Sequence, residues 1–227
     1  MEQKHHVHNL IILDESGSMQ SIKESIISGF NELVQTIQGI EKQTPEQKHF
    51  VSFVSFNSLE KKLLHFVDPV SQLKKINAQS YQPQAQTPLF DAMGFSINKL
   101  REYLAGKKDY NVLVTILTDG QENDSREFSR TAIQKLIQEL EQNNWTFTYI
   151  GADHDIDRAA SSLSIRNVSK FDKNPDEMKK MFDKEKLARL NYTEKIRRKE
   201  DTRLRFYEDI EDIDDIYNRD QERRRRF

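Results

Sequence analysis

A chain of 227 residues, 36% hydrophobic and 32% charged, is long enough for one full domain plus an appendage and too short for two large domains. Its 35 basic and 37 acidic residues leave a formal net charge of -2, so no global field recommends nucleic acid, an anionic membrane or an acidic substrate as partner. Cysteine is absent, which removes disulfides, thiolate zinc sites and cysteine nucleophiles together and fits a reducing compartment.

The first apolar run covers only residues 10–13 and meets acid at once in Asp14, so neither a signal peptide nor a spanning helix is expected, and the location is read as cytoplasmic. His5, His6 and His8 precede it and read as exposed decoration on a frayed leader rather than as a chelating cluster. Residues 7–13 predict a strand, continuous in apolar character from Leu10 to Leu13, as in a central parallel strand covered on both faces. Ser21 and Glu24 have capping-box spacing, and Ile22, Ile26, Phe30, Leu33 and Ile37 recur at helical intervals until Gly39 stops the run. Residues 49–56 and 62–67, joined by a turn at 57–60, predict an antiparallel edge. A short helix is expected at 71–76 and an irregular loop at 77–86.

Thr87 before Pro88 suits an N-cap and first helical position, and Leu89, Met93, Ile97, Leu100 and Leu104 carry an apolar stripe to Gly106. Residues 111–117 predict a second buried strand, ended by the turn Thr118-Asp119-Gly120. Asp124 and Glu127 would cap a third helix reaching about residue 143, followed by strands at 145–150 and 167–171 with a short helix at 156–163 between them. The sum is an α/β fold: a doubly wound, mostly parallel sheet with one antiparallel edge strand and helices on both faces. It fills residues 1–172, and 173–227 form a charged, helical or partly disordered C-terminal extension, in which Met178, Met181, Phe182, Leu187 and Leu190 allow one amphipathic helix.

Ligands of open α/β sheets collect beyond the carboxyl ends of the strands where strand order reverses, and those two ends carry Asp14 and Asp119. The loop Asp14-Glu15-Ser16-Gly17-Ser18 offers a carboxylate and two hydroxyls at alternate positions, with Gly17 permitting the tight turn. Asp14-x-Ser16-x-Ser18, Thr87 in Gln86-Thr87-Pro88-Leu89 and Thr118-Asp119-Gly120 together resemble the metal-ion-dependent adhesion site of von Willebrand factor A domains, over roughly residues 5 to 170 and of the prokaryotic, intracellular type. The resemblance implies that Ser16, Ser18 and Thr87 touch a divalent cation, that Asp14 and Asp119 hold it directly or through water, and that an open position receives an Asp or Glu carboxylate from a protein partner. Thr87 would then report the ligation state, and residues 174–190 correspond to a last helix that shifts in some members. An oxygen-only shell suits Mg²⁺, Mn²⁺ or Ca²⁺, and two carboxylates leave a dication with Lewis acidity to spare.

Each element has a plainer reading alone: Asp14 and Thr87 as helix N-caps, Thr-Asp-Gly as an ordinary turn. Glu15, Asp91, Glu122 and Asp124 fit solvated loops and helix dipoles better than a second cation position, and Asp153, His154, Asp155 and Asp157 fit an acidic helix start. The chief rival function is a metal-dependent phosphohydrolase with Asp14 as nucleophile, against which stand Ser16 where a second acid belongs and no lysine in the Asp119 loop. A third reading is a scaffold acting through the tail. There a basic-leaning stretch at 195–205, an acidic block at 208–215 and four arginines at 223–226 accompany sparse apolar positions (Ile196, Leu204, Tyr207, Ile210, Ile213 and Ile216), too few for a core. Nucleic acid is a weak expectation for those arginines, and the oligomeric state is not legible.

Overall fold

The computed structural model describes residues 4–152 and 155–208. Six strands, β1 (His5–Asp14), β2 (Gln47–Phe56), β3 (Lys61–Pro69), β4 (Tyr110–Thr118), β5 (Trp145–Ala152) and β6 (Asn167–Phe171), form one sheet in the order β3-β2-β1-β4-β5-β6. Neighbours run parallel except β2 and β3, which are antiparallel. The α-helices among the described residues are α1 (Lys23–Gln43), α2 (Leu89–Leu104), α3 (Arg130–Leu140), α4 (Ile156–Ser162) and α5 (Pro175–Arg197).

Side chains alternate across a strand, so an unbroken apolar run is useful only where both faces are covered. In β1, Leu10 and Ile12 join the core beneath α2, α3 and α4, whereas Ile11 and Leu13 join the core beneath α1 and α5. This is the doubly wound α/β sheet with one antiparallel edge strand. Chain order reverses between β1 and β4, whose registers end at Asp14 and Thr118 on the same side of the sheet. The crevice at that reversal is where the fold invites a ligand.

Several expected boundaries move, each for a visible reason. Ser21 and Glu24 form no capping box: residues 17–22 coil as a 3-10 turn, α1 has Ile22 at its N-cap, and Ser21 Oγ donates to Ser18 O at 3.3 Å. Gly39 does not stop α1, which continues to Gln43. In place of a helix at 71–76 there is a 3-10 turn at Val70–Gln72, and the chain beyond it is held by Asn31, whose side chain bonds both the N–H and the carbonyl of Ile76. The third helix begins at Arg130 with Ser129 as its cap, not at Asp124 or Glu127. There the Asp91 carboxylate accepts the N–H groups of Arg126, Glu127 and Phe128, which holds that stretch as a loop.

The largest departure concerns α5 and the residues after it. Met178, Met181 and Phe182 pack with Ile26 and Phe30 of α1, and Phe182 lies where a Cβ on Gly29 would be only 1.9 Å from its ring. Leu187 and Leu190 are only half-buried; the inward face continues instead through Glu185, Ala188, Arg189 and Tyr192. Arg189 donates to Glu185 Oε1 (2.8 Å), Asn9 Oδ1 (3.0 Å) and Thr115 Oγ1 (2.5 Å), so an ion pair sits in the middle of the sheet face. Residues 202–207 then cross the amino end of the sheet, tied by Asn111, Thr146 and Asn167 side chains, and Phe206 and Tyr207 are buried against Val7, Leu113 and Tyr192. Of the sparse apolar positions expected here, Tyr207 and Ile196 join this cluster, together with Phe206; Ile210, Ile213 and Ile216 lie outside the described residues. The acidic block beyond residue 208 and the four arginines lie outside the described residues.

The N-terminal histidines are not a leader either. His5, His6 and His8 belong to β1, and His8 is buried with its ring stacked on Phe50 at 5.1 Å.

Candidate metal centre

At the end of β1 the chain reverses within a few residues. Glu15 N still bonds Phe56 O as if the strand continued, and then Ser16 N folds back onto Asp14 Oδ1 at 2.7 Å. Aspartate favours such turns because its side chain can accept the N–H two residues on. Gly17 N bonds Ala85 O at 3.0 Å, and a Cβ there would stand 3.4 Å from that oxygen, an ordinary van der Waals contact, so the turn that the sequence assigns to Gly17 does not depend on its lacking a side chain. Ser18 is thereby turned back toward β4, where its Oγ donates to Asp119 Oδ1 at 2.6 Å and lies 3.2 Å from Ser16 Oγ.

Thr87 arrives from the loop before α2. Its side chain does not cap that helix, whose N-cap is Pro88 with no side-chain bond. Reciprocal bonds with Asn123, from Thr87 N to Asn123 Oδ1 (2.9 Å) and from Asn123 N to Thr87 O (3.2 Å), fasten it to the loop after β4. Gly120 supplies the measure of convergence: a Cβ added there would stand 3.3 Å from Ser18 Oγ, 3.3 Å from Thr87 Oγ1 and 3.8 Å from Asp14 Oδ2. Three oxygens, two from the end of β1 and the loop after it and one from the loop before α2, thus surround one point that glycine leaves open.

Electrostatics give the cluster its character. Asp14 is fully buried, and burial first of all pushes its carboxyl up from 3.8 to about 6, with the neighbouring Asp119 charge adding to the rise. Hydrogen bonds from Thr118 Oγ1 (2.5 Å) and from Ser16 pull the other way. Asp119 Oδ2 is buried with no hydrogen bond; Lys173 Nζ stands 2.9 Å away as an ion pair without hydrogen-bond alignment. A buried carboxylate oxygen lacking a hydrogen bond, beside hydroxyls aimed at one point, fits a hard cation. Among the described residues no group of three or more His, Asp or Glu side chains is gathered for a metal, so this centre rests on hydroxyls as much as on acids. Ser16, Ser18, Thr87, Asp14 and Asp119 are all brought together.

The other acids near the site have structural partners. Glu15 is buried and bonded to Ser55 Oγ (2.8 Å), Lys62 Nζ (2.9 Å) and Gln82 N (2.6 Å), which is a clamp between the sheet edge and the loop at 77–86, not a solvated loop residue. Asp91 caps three backbone N–H groups as described above, and Glu122 accepts from Phe90 N, Asp124 N and Ser125 N. Asp155 occupies the N-cap of α4 without a side-chain bond, and Asp157 pairs with Lys170; Asp153 and His154 lie outside the described residues. Spacing gave no notice of Lys173 or of Tyr81, whose buried hydroxyl donates to Asp14 O at 2.8 Å.

A doubly wound domain with an oxygen-lined crevice at its strand reversal is the class that the fold and site define. The sequence profile of the von Willebrand factor type A domain matches residues 10–188, and the chain belongs to that family. No curated protein matches it by sequence. Among solved structures it is similar to a von Willebrand factor type A protein from Catenulispora acidiphila, with a TM-score of 0.54 and 15% identity over 85% of this chain and 43% of that one. It is also similar to the vWF domain of the type V pili tip protein Mfa5 from Porphyromonas gingivalis, with a TM-score of 0.54 and 12% identity over 87% of this chain and 97% of that one. Proximal thread matrix protein 1 from the mussel byssus gives a TM-score of 0.50 and 14% identity over 79% of this chain and 45% of that one. The chain therefore spans less than half of the first and third and nearly all of the second, and at these identities the likeness is one of fold. No helix among the described residues is long and apolar enough to cross a membrane.

Proposed function

We propose that this chain is a metal-dependent protein-interaction module, of prokaryotic type and acting in the cytoplasm, that grips an Asp or Glu carboxylate of a partner. The convergence of Ser18 Oγ, Thr87 Oγ1 and Asp14 Oδ2 on the point left open by Gly120 carries the reading. Ser16, Ser18 and Thr87 would hold Mg²⁺, Mn²⁺ or Ca²⁺ through hydroxyls, with Asp14 and Asp119 holding it directly or through water. When bound, such a cation supplies Lewis acidity at an open position, because two carboxylates only just balance its charge.

Catalysis by Asp14 is the rival, and one observation now favours it more than the sequence did. Lys173 reaches Asp119 from the loop after β6, so the centre has the lysine that the Asp119 loop lacks. Against it, Asp14 is fully buried, with Oδ1 bonded by Ser16 N and Oδ2 by Thr118 Oγ1, which leaves a poor nucleophile. Turnover of p-nitrophenyl phosphate by wild type, abolished by Asp14→Asn, would establish the hydrolase.

The interaction reading is tested by capture from the native lysate on immobilised wild type with Mg²⁺, with EDTA, and on Asp14→Ala with Mg²⁺, after circular dichroism shows the variant folded. A protein retained only by wild type with Mg²⁺, and eluted by EDTA, supports it. Equal retention in all three arms overturns it and transfers attention to the C-terminal extension as a scaffold.

A further inference from the structure

Lys173 belongs to the centre without belonging to its ligand pattern. It lies between β6 and α5, with its side chain one-third exposed, and its Nζ is 2.9 Å from the fully buried side chain of Asp119. Its presentation is fixed from the next residue: Asn174 N bonds Asp172 O at 2.7 Å, and Asn174 Oδ1 caps Glu177 N at 3.0 Å to start α5. Lys62, which also reaches this loop cluster, is engaged by Glu15 at 2.9 Å and Glu60 at 3.4 Å. Glu15 therefore brings its own counter-charge, while the charge of Asp119 faces the ammonium of Lys173.

We propose that Lys173 is a tethered cation that tunes the centre in two opposite directions, weakening its hold on the dication and strengthening its hold on the partner's carboxylate. The inference rests on the reading above that the centre binds a dication. An ammonium competing for Asp119 Oδ2 repels a dication held by the same carboxylate. Once the dication is in place, two carboxylates cancel it, and the charge of Lys173 leaves the crevice net positive toward an incoming anion. A carboxylate gains from that surplus, whereas a carboxamide of the same shape does not. Lys173 is thus a specificity residue for acidic partners, acting beside the cation rather than as its ligand.

The test compares full-length wild type, Lys173→Met and Lys173→Arg. Free Mn²⁺ is followed by electron paramagnetic resonance during titration, and the relaxation of Mn²⁺-bound water is followed while acetate or acetamide is added. Lys173→Met should bind Mn²⁺ ~10-fold more tightly and need ~10-fold more acetate to displace water, with Lys173→Arg within a factor of ~2 of wild type for both and acetamide inert throughout. Thermal melts should cross: Lys173→Met melts below wild type in EDTA, where Asp119 has lost its counter-charge, and at or above it in saturating Mn²⁺. Equal Mn²⁺ affinities with a parallel loss of melting temperature in both conditions overturn the inference and leave the metal reading standing. No Mn²⁺ bound by any of the three proteins overturns both.

Discussion

Arg189→Met is expected to cost ~3–5 kcal/mol, because removing one partner of a buried ion pair leaves the other charge without compensation. Arg189 is 2% exposed and Glu185 0%, so solvent does little to soften the loss. The variant strips a donor from Glu185 Oε1, Asn9 Oδ1 and Thr115 Oγ1, and among the described residues leaves the carboxylate the Tyr207 hydroxyl, which donates to Oε2 at 2.6 Å. Methionine keeps most of the stem's volume, so a cavity adds little. With a urea m-value of ~2 kcal/mol/M, the unfolding midpoint should fall by ~1.5–2.5 M. Adding Glu185→Leu removes the stranded charge and should recover at least ~2 kcal/mol, a coupling that only directly interacting residues show. A midpoint shift below ~0.5 M for Arg189→Met, or a double variant no better than the single, would refute the placement of α5 over the middle of the sheet.

Gly120→Ala should fold normally yet lose Mn²⁺ affinity by more than ~10-fold in calorimetric titration, since its methyl would enter the point shared by Ser18 Oγ and Thr87 Oγ1. Undiminished affinity would place the metal elsewhere. Burial holds His8 down at about 3 and His49 at about 4, and neither ring forms a hydrogen bond, so the folded state refuses protons that the unfolded chain accepts below its ordinary 6.5. Their contribution is present above pH 6.5 and is lost as pH falls through that window toward 4. Asp14, raised to about 6, works in the opposite sense but is common to wild type and variant. Denaturation at pH 4.5–6 should therefore show His8→Phe with a slope of stability against pH smaller by ~1.4 kcal/mol per unit; an unchanged slope would mean His8 protonates in place. Gly29→Ala should destabilise by ~1–3 kcal/mol through its clash with Phe182, and Phe182→Leu in the same chain should relieve part of that loss. Additive losses in the melting of the pair would show that α1 and α5 do not meet there.

The fold was legible wherever burial is apolar and periodic. Continuous runs in β1 and β4, the alternation of Trp145, Phe147 and Tyr149 in β5 and the stripe from Leu89 to Leu104 need no partner to be recognised, because each declares a strand or a one-faced helix by itself. The α5 face hid for the opposite reason. Met178, Met181, Phe182, Glu185, Arg189 and Tyr192 keep the helical interval, but a reading that counts only apolar residues breaks it at Glu185 and shifts the stripe to Leu187 and Leu190. Segment 202–207 was illegible for a related reason: it is held by Asn111, Thr146 and Asn167, polar residues inside or beside apolar strands whose side chains had no local partner to announce them. Helix starts failed where a distant side chain took the backbone groups first, as Asp91 does ahead of α3.

Strand ends and the loop after β1 brought out Asp14, Ser16, Ser18 and Asp119, the family resemblance added Thr87, and contacts across the chain decide what holds them. Tyr81 bonds Asp14 O, Gln82 N and Gln84 N bond Glu15, Gly17 N bonds Ala85 O, Asn123 bonds Thr87 in both directions, and Glu122 receives Phe90 N. Each of these joins two of the segments that bear oxygens or the loops beside them, and none uses a candidate ligand's hydroxyl. Since ordering a loop costs roughly 1–2 kcal/mol per residue, a centre whose loops are already tied can spend its binding free energy on the ion and the incoming carboxylate. The same ties limit how ligation can be relayed. A slide of α5 along its axis would have to strip Arg189 from Asn9 and Thr115 and pull Phe182 from beside Gly29, whereas Lys173, at the amino end of that helix, can change partners by rotating its own side chain. A response to ligand confined to the crevice and the start of α5 is therefore cheaper in this chain than displacement of the whole last helix.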